Sequence, residues 1–409
     1  MRDGEPGADG SSGMTTGLVT ALAIASGACG ANNYYYQPLL PLMAHQFGAT
    51  ASAVAYVPIL MQVGSVTALL LLMPLGDVID RKRLILGLFA AAAAGLVGSG
   101  AAPSLAWLVV ASFFVGWAAV VPHVIVAFAA HLAAEENRGK VITNVMFGTL
   151  VGVLVARAAS GSIGALLGWR IVYFASATVM SAAAIGLWAR LPPQAPTARL
   201  RYAELFTSLV SLARTHRRLR EASLIATATV CAFTLFWTTF AFFLAGPPHH
   251  SGSEVAGGFG LLSVSSVLGA PVVGRLADRN RARATVGVML ALALASFALF
   301  FALRQWMLAL AAGVVLLDMG MQLSHLANLT RVQALDPAAR SRLSTVYMSG
   351  YFGGAVLGSW VGPNAWSAFG WPGVCAAGAL FVAAALVLWV GGLRADASPR
   401  QPATLSIQG

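Results

Sequence analysis

Twelve apolar stretches, each near the roughly 20 residues a helix needs to cross about 30 Å of hydrocarbon, constrain this chain more than any motif in it. They fall at 14–36, 51–75, 84–102, 105–130, 141–167 and 171–188, and again at 222–245, 255–273, 284–303, 306–329, 343–361 and 371–391. In lipid every backbone N–H and C=O must find its partner within the protein, which leaves helices and closed barrels. The runs are continuously apolar and do not alternate, so a barrel is excluded. With 58% hydrophobic and 10% charged residues over 409 positions, too little polar surface remains for a soluble globule.

A short polar sequence occurs twice between these stretches, as Gly76-Asp77-Val78-Ile79-Asp80-Arg81 and Gly274-Arg275-Leu276-Ala277-Asp278-Arg279, 198 residues apart. Each copy follows the second apolar stretch of its half, the mark of an internally repeated membrane fold. A shift of 202 residues also superposes Arg138 on Arg340, Lys140 on Arg342, Thr143 on Thr345, Met146 on Met348, Gly148 on Gly350, Gly152 on Gly354, Gly168 on Gly370 and Trp169 on Trp371. The same shift carries His123 onto His325. The expected fold class is an all-α membrane protein, with 12 transmembrane helices in two pseudo-symmetric six-helix bundles.

The formal charge of +11 does not point to nucleic acid, because the basic residues sort by side of the membrane. Of 25 Lys and Arg, 22 lie in the N-terminal segment, the C-terminal tail or the loops after even-numbered helices; the exceptions are Arg157, Arg170 and Arg304. The positive-inside rule then places both termini in the cytoplasm of an inner-membrane protein. Residues 1–13 read as a disordered tail without the basic start of a signal peptide. The bundles span 14–188 and 222–392, with a cytoplasmic linker at 189–221 and a tail at 393–409. Within the linker, 200–219 mixes apolar and basic residues and is expected as an amphipathic helix on the anionic inner leaflet. Cys29, Cys231 and Cys375 lie inside predicted helices without paired spacing, so neither a disulfide framework nor a thiolate metal site is expected.

Arg157 and Asp318 are the two formally charged residues deep within predicted helices. Insertion of such a charge near a helix centre costs roughly 2.5–3.5 kcal/mol, so an idle pair is hard to account for. At a rise of 1.5 Å per residue they sit about 24 Å and about 20 Å from their cytoplasmic ends, a match in depth that allows an ion pair across the halves. Such a pair either yields to substrate or is a permanent salt bridge that fixes packing. Asp318, Gln322, His325 and Asn328 recur at intervals of four, three and three, within roughly a third of the helix circumference. The stripe lines a cavity, with Asp318 or His325 carrying a proton, or it bonds to neighbouring helices. His123 joins it through its counterpart relation to His325. Asn33, Tyr34 and Gln37 at the end of helix one, and Trp237 in helix seven, offer rings and hydrogen-bond groups that suit an amphipathic small molecule. For the adjacent Tyr35 and Tyr36 an interfacial aromatic belt serves as well. Gly350, Gly353, Gly354 and Gly358 read as close helix packing.

Three elements together resemble the major facilitator superfamily, in its twelve-helix drug and sugar efflux branch of drug-proton antiporters and arabinose-efflux-permease-like proteins, over nearly the whole length. They are the duplicated loop, the run Asn33-Tyr34-Tyr35-Tyr36-Gln37-Pro38-Leu39-Leu40-Pro41, and Ala339-Arg340-Ser341-Arg342-Leu343-Ser344-Thr345-Val346-Tyr347-Met348. The chain departs from that pattern at Arg83, where the family usually has Gly, and at Arg157, in place of the Gly-Pro pair of drug antiporters. The resemblance implies that helices 1, 4, 7 and 10 line a central cavity while 3, 6, 9 and 12 face lipid. It also implies that the two polar loops latch the cytoplasmic side, with Gly76, Asp80, Arg81, Gly274, Asp278 and Arg279 as gating residues. Gly76 and Gly274 permit a tight helix exit, and Asp80 and Asp278 can accept from Arg and from helix N-terminal amides. Ordinary positive-inside loops are the alternative.

No His-Glu-x-x-His, phosphate loop or Gly-x-Ser-x-Gly elbow is present. An enzyme is not expected, and no cofactor or metal is called for. The expected function is secondary transport, proton-coupled export of a small amphipathic or polar solute by a monomer in the bilayer. Uptake by a symporter or uniporter would use the same helices, and a non-transporting sensor or assembly partner would bind a ligand without flux.

Overall fold

The computed structural model describes residues 15–72, 79–192, 202–269, 282–336 and 339–397, and every regular element among them is a helix. Segment one starts at Thr15, whose hydroxyl accepts from the Leu18 amide and caps Thr16–Ala31. It does not stop at 36, where the sequence suggested its end. After an irregular stretch at 32–36 the chain resumes as a 3-10 turn Gln37–Leu39 and a helix Leu40–Phe47, with Pro38 and Pro41 in first turns, where a missing N–H is no loss. Gly48, left-handed at φ 58°, ends it. Hydropathy reads the polar run of Asn and Tyr as an exit from the membrane, whereas the backbone only breaks there.

Segments two to six are Ala51–Leu72, Arg81–Gly100, Leu105–Gly116 continued by Trp117–Val120 and Val121–Leu132, Arg138–Leu167, and Trp169–Arg190. A linker helix Tyr202–Thr215 follows, and its Leu212 packs against a core cluster that includes Leu219, Ala222, Val332 and Tyr347. Segments seven to ten are Arg217–Ala245, residues 253–269, Ala282–Ala302 and Met307–Gln333. The run Arg340–Ala397 holds segments eleven and twelve, parted at Gly370. The last helix therefore continues past 392.

The sequence duplication reappears as geometry. Gly168 at φ 87° and Gly370 at φ 62° turn segment five into six and eleven into twelve, a conformation that L side chains rarely adopt. Trp169 and Trp371 follow them, each donating its indole N–H, to Gln46 Oε1 and to Phe300 O. Segment five lies so close to segment one that a Cβ on Gly152 would stand 2.2 Å from Gly27 O. Segment eleven lies on segment seven in the same way, where a Cβ on Gly354 would stand 2.3 Å from Thr227 O.

Each half has its own core, with Phe352 of segment eleven joining that of the first. Leu22, Tyr36, Phe89, Phe128 and Trp169 belong to the first, while the second is built on rings, with Phe236 stacked on Phe240 and on Phe300, and Phe243 on Trp371 at 4.0 Å. Segment seven is buried along most of its length and runs through the middle, whereas segment six exposes Ile171, Phe174, Val179, Ile185 and Trp188 and faces outward. Leu166, Leu308, Leu380 and Val387 are exposed, as side chains facing lipid are.

The halves meet where segment five touches eight and segment two touches eleven. At the end away from the Arg-rich helix termini, Ser253 Oγ donates to Gly161 O at 2.9 Å. Ser52 Oγ donates to Pro363 O at 3.4 Å and pairs with Ser367 Oγ at 2.8 Å. Gly161 and Pro363 are related by the internal shift of 202, so one serine clasp is made twice.

Candidate functional site

Two helix breaks frame the centre of the molecule. One is the irregular stretch at 32–36, and the other lies in segment eight, where the helix Ser253–Phe259 passes into a 3-10 turn Gly260–Ser263 before resuming. Irregular backbone at membrane depth persists where it is buried in protein or lines a cavity, and such breaks mark binding sites in carriers.

Arg157, 1% exposed, reaches between the breaks from segment five. Its Nε donates to Gln37 Oε1 at 2.7 Å and its Nη1 to Ser263 Oγ at 2.9 Å. Its Cζ lies 3.9 Å from the ring centre of Trp237, 4.8 Å from that of Tyr34 and 5.6 Å from that of Phe233. These faces attract a cation. Glycines of segment eight make room for the chain: a Cβ on Gly260 would stand 2.5 Å from Arg157 Cβ, and one on Gly257 2.4 Å from Arg157 O.

Asp318, fully buried on segment ten, accepts from the Ser263 hydroxyl through Oδ2. The hydroxyl that accepts from Arg157 thus donates to Asp318, and the charges meet through one oxygen instead of in a direct ion pair. Arg157 Nη2, Asp318 Oδ1, Trp237 Nε1 and Asn33 Oδ1 have no hydrogen-bond partner. Buried polar atoms left unpaired are costly, so a proton or solute arriving here gains by satisfying them.

The remaining predicted residues divide. His325 Nδ1 lies 3.0 Å from the Tyr347 hydroxyl, and its ring centre is 4.6 Å from that of Tyr351. His123, its counterpart in the repeat, is within electrostatic reach of it. Gln322 is half-buried between Asp318 and His325 along segment ten. Asn328 is engaged elsewhere: its Nδ2 donates to Ala222 O at 2.9 Å and its Oδ1 accepts from Arg331 Nη1 at 2.9 Å. Arg331 and Arg283 in turn reach Glu221 Oε1 at 3.4 and 3.0 Å. The motif on segment one also splits. Tyr34 and Gln37 face Arg157, whereas Asn32 and Tyr35 bond to each other, with Asn32 Nδ2 on Met180 Sδ and Tyr35 edge-on to Tyr173.

Gly76, Gly274, Asp278 and Arg279 lie outside the described residues. Asp80 is the N-cap of segment three: its Oδ1 accepts from the amides of Lys82 at 2.7 Å and Arg83 at 3.2 Å. Arg81 is the first residue of that helix. Lys82 Nζ donates to Leu191 O at 2.6 Å, which ties the start of segment three to the end of six. Among the described residues no group of three or more His, Cys, Asp or Glu is placed to hold a metal.

Ser263, Phe233 and Tyr351 were not singled out by sequence. The cluster Gly257, Gly258 and Gly260 was the available signal for Ser263, since glycines within an apolar run mark a close backbone approach. A serine alone carries no such mark.

Two repeated six-helix units around a buried polar centre define a secondary transporter. The sequence model of the Major Facilitator Superfamily matches residues 22–339, and the chain belongs to that superfamily. It is 36% identical over 376 residues to the uncharacterized transporter YgaY of Escherichia coli O157:H7, an alignment covering 92% of this chain and 95% of YgaY. It is 29% identical over 295 residues to a chloramphenicol resistance protein of Streptomyces lividans, covering 65% of this chain and 74% of that one. The crystal structure of the nucleoside transporter NupG superposes with a TM-score of 0.72 at 13% identity, covering 93% of this chain and 100% of NupG, which shows a shared fold. The chain is a multi-pass membrane transporter.

Proposed function

We propose that this transporter is proton-coupled and moves a small amphipathic or polar solute by alternating access, with the Arg157–Ser263–Asp318 centre as its binding and coupling site. One observation carries the reading. A buried cation of the first half and a buried carboxylate of the second are joined through a single hydroxyl, each with a polar atom unused. Rocking the halves apart changes that tie, so a proton on Asp318 or a solute at Arg157 binds the two arrangements unequally, as any coupled ligand must. Tyr34, Gln37, Asn33 and Trp237 supply rings and hydrogen-bond groups for the solute. Gln322, His325 and His123 extend the polar surface toward the Arg-rich end, which we assign to the cytoplasm of an inner-membrane monomer. The loops that contain Asp80, Arg81, Asp278 and Arg279 then stand at the cytoplasmic gate.

Similarity to a protein named for chloramphenicol resistance, a trait that removal of the drug from the cell would give, supports export. Cotransport with protons has a different observation in its favour: Arg157 stays charged at any working pH, so the centre can hold an anion there and a proton on Asp318 together. Counterflow tests transport itself. Proteoliposomes loaded with unlabelled chloramphenicol, a cationic drug, a sugar or an amino acid are diluted into traces of the labelled compound. Transient protein-dependent accumulation of label is expected for at least one of them. Binding without exchange would instead make the protein a sensor.

A further inference from the structure

We infer that the centre takes a small organic monoanion, a carboxylate on an aromatic or apolar body, together with one proton. The inference rests on the proposed role of this centre and develops its cotransport form.

Charge balance is the first step. Within electrostatic reach of Asp318 are Arg157 from segment five, one hydroxyl away, and the phenols of Tyr34 from segment one and Tyr351 from segment eleven. Segments seven and eight contribute Trp237 and Ser263, which do not titrate in the working range. On its own helix the next titratable group is His325, engaged by Tyr347 and close to His123. With Asp318 ionised, the guanidinium and carboxylate cancel. An organic cation entering then meets Arg157 one hydroxyl away from Asp318, the carboxylate that would hold it. With Asp318 protonated, the centre carries one positive charge within a ring of aromatic faces, and a single negative charge restores neutrality.

Hydrogen bonding leads to the same class. Arg157 Nη2 has no hydrogen-bond partner, and Trp237 Nε1, beside the Asp318 carboxylate but outside hydrogen-bond geometry, comes free when that carboxylate is protonated; Trp237 is packed against the guanidinium at 3.9 Å. A carboxylate has acceptor lone pairs for both. A neutral amide of the same shape presents one oxygen and leaves the positive charge uncompensated. The rings of Tyr34, Trp237 and Phe233 provide apolar area for the body of the anion. The only covalent change is a proton transfer: an O–H bond of hydronium breaks, leaving water, one forms on the Asp318 carboxylate, and the anion replaces that carboxylate as counter-ion to Arg157. Binding of each therefore tightens the other, reciprocally. The two species travel together, in the direction that their summed gradients dictate.

The test uses the full chain in lipid nanodiscs with three ring-bearing probes of similar size: benzoate, its isostere benzamide, and benzylammonium. Binding is followed by tryptophan fluorescence, and proton exchange by an indicator dye in weak buffer. Benzoate should bind at least tenfold more tightly than either of the others, take up one proton per molecule, and weaken about tenfold per pH unit on the alkaline side, as linkage to one proton requires. Asp318→Asn should bind benzoate without proton uptake and without that pH dependence. Arg157→Gln should lose binding, while Arg157→Lys, checked for a monodisperse elution profile, should keep part of it. Benzamide binding as well as benzoate, or benzylammonium binding more tightly with proton release, would overturn the anion assignment and leave proton coupling standing. Benzoate binding through Arg157 with no proton exchanged would overturn coupling and leave the anion assignment standing. Failure of the wild type to bind benzoate, and a wider set of aromatic and aliphatic monocarboxylates, overturns the inference outright.

Discussion

Replacing Gly257 by Val should hold the two halves apart at the end where the serines clasp them. A Cβ at Gly257 would stand 2.4 Å from Arg157 O and 3.0 Å from Gly161 Cα. Across the contact, a Cβ at Gly161 would stand 2.3 Å from Ser253 O. These are backbone atoms on both sides, so no flexible side chain can move aside. Overpacking of this kind costs about 1–3 kcal/mol. Segments five and eight belong to different halves, so the cost falls on their association and spares the fold of each. An equilibrium between closed and separated arrangements should then shift by about 5- to 150-fold toward separation. Ser52 Oγ and Ser367 Oγ, 2.8 Å apart in the closed arrangement, give the readout. With both changed to Cys, oxidative cross-linking should be efficient in the parent and fall sharply with Gly257→Val. Native Cys29, Cys231 and Cys375 are buried and contribute little background. Gly353→Val is the control, because a Cβ there meets nothing within 4 Å. Equal cross-linking in Gly257→Val and the control would refute the idea that this glycine contact sets closure.

Ser263→Ala removes one bond from Arg157 and one from Asp318, a loss of about 1–3 kcal/mol for a buried group left unsatisfied. It should lower the thermal midpoint in detergent and slow counterflow, with Ser263→Thr close to wild type. Asp80→Ala should cost about 1 kcal/mol through loss of the helix cap, and Asp80→Asn, which still accepts from the same amides, should regain the thermal midpoint. If Asp80→Asn is as unstable as Asp80→Ala, the capping account is wrong.

The repeat was legible because it is local in sequence. Gly168 and Gly370 need only their own backbone angles to do the same work twice, and Gly152 and Gly354 the same close approach. Arg157 and Asp318 stood out because a charge at membrane depth demands a reason. What joins them did not, since Ser263 is an ordinary residue until its helix breaks and turns its hydroxyl between two charges 106 and 55 residues away in the chain. The same limit applies to Ser52 and Ser253, whose partners lie on the other half. Asn328 shows the converse. Its spacing puts it on the stripe with Asp318, yet the Ala222 carbonyl and Arg331 take up its amide, a matter of neighbours that periodicity cannot supply. Segment one was read short because hydropathy cannot tell a helix that leaves the membrane from one that breaks within it.

The most direct test of the account is solute-triggered proton movement in inverted membrane vesicles, followed with a pH-sensitive dye for any compound that shows counterflow. The wild type should move protons when that compound is added, dissipating the gradient for exchange or shifting it in the opposite sense for cotransport. Asp318→Asn, matched for expression, should still bind the compound and move none. Proton movement of equal size in Asp318→Asn would contradict the claim that this centre couples the two.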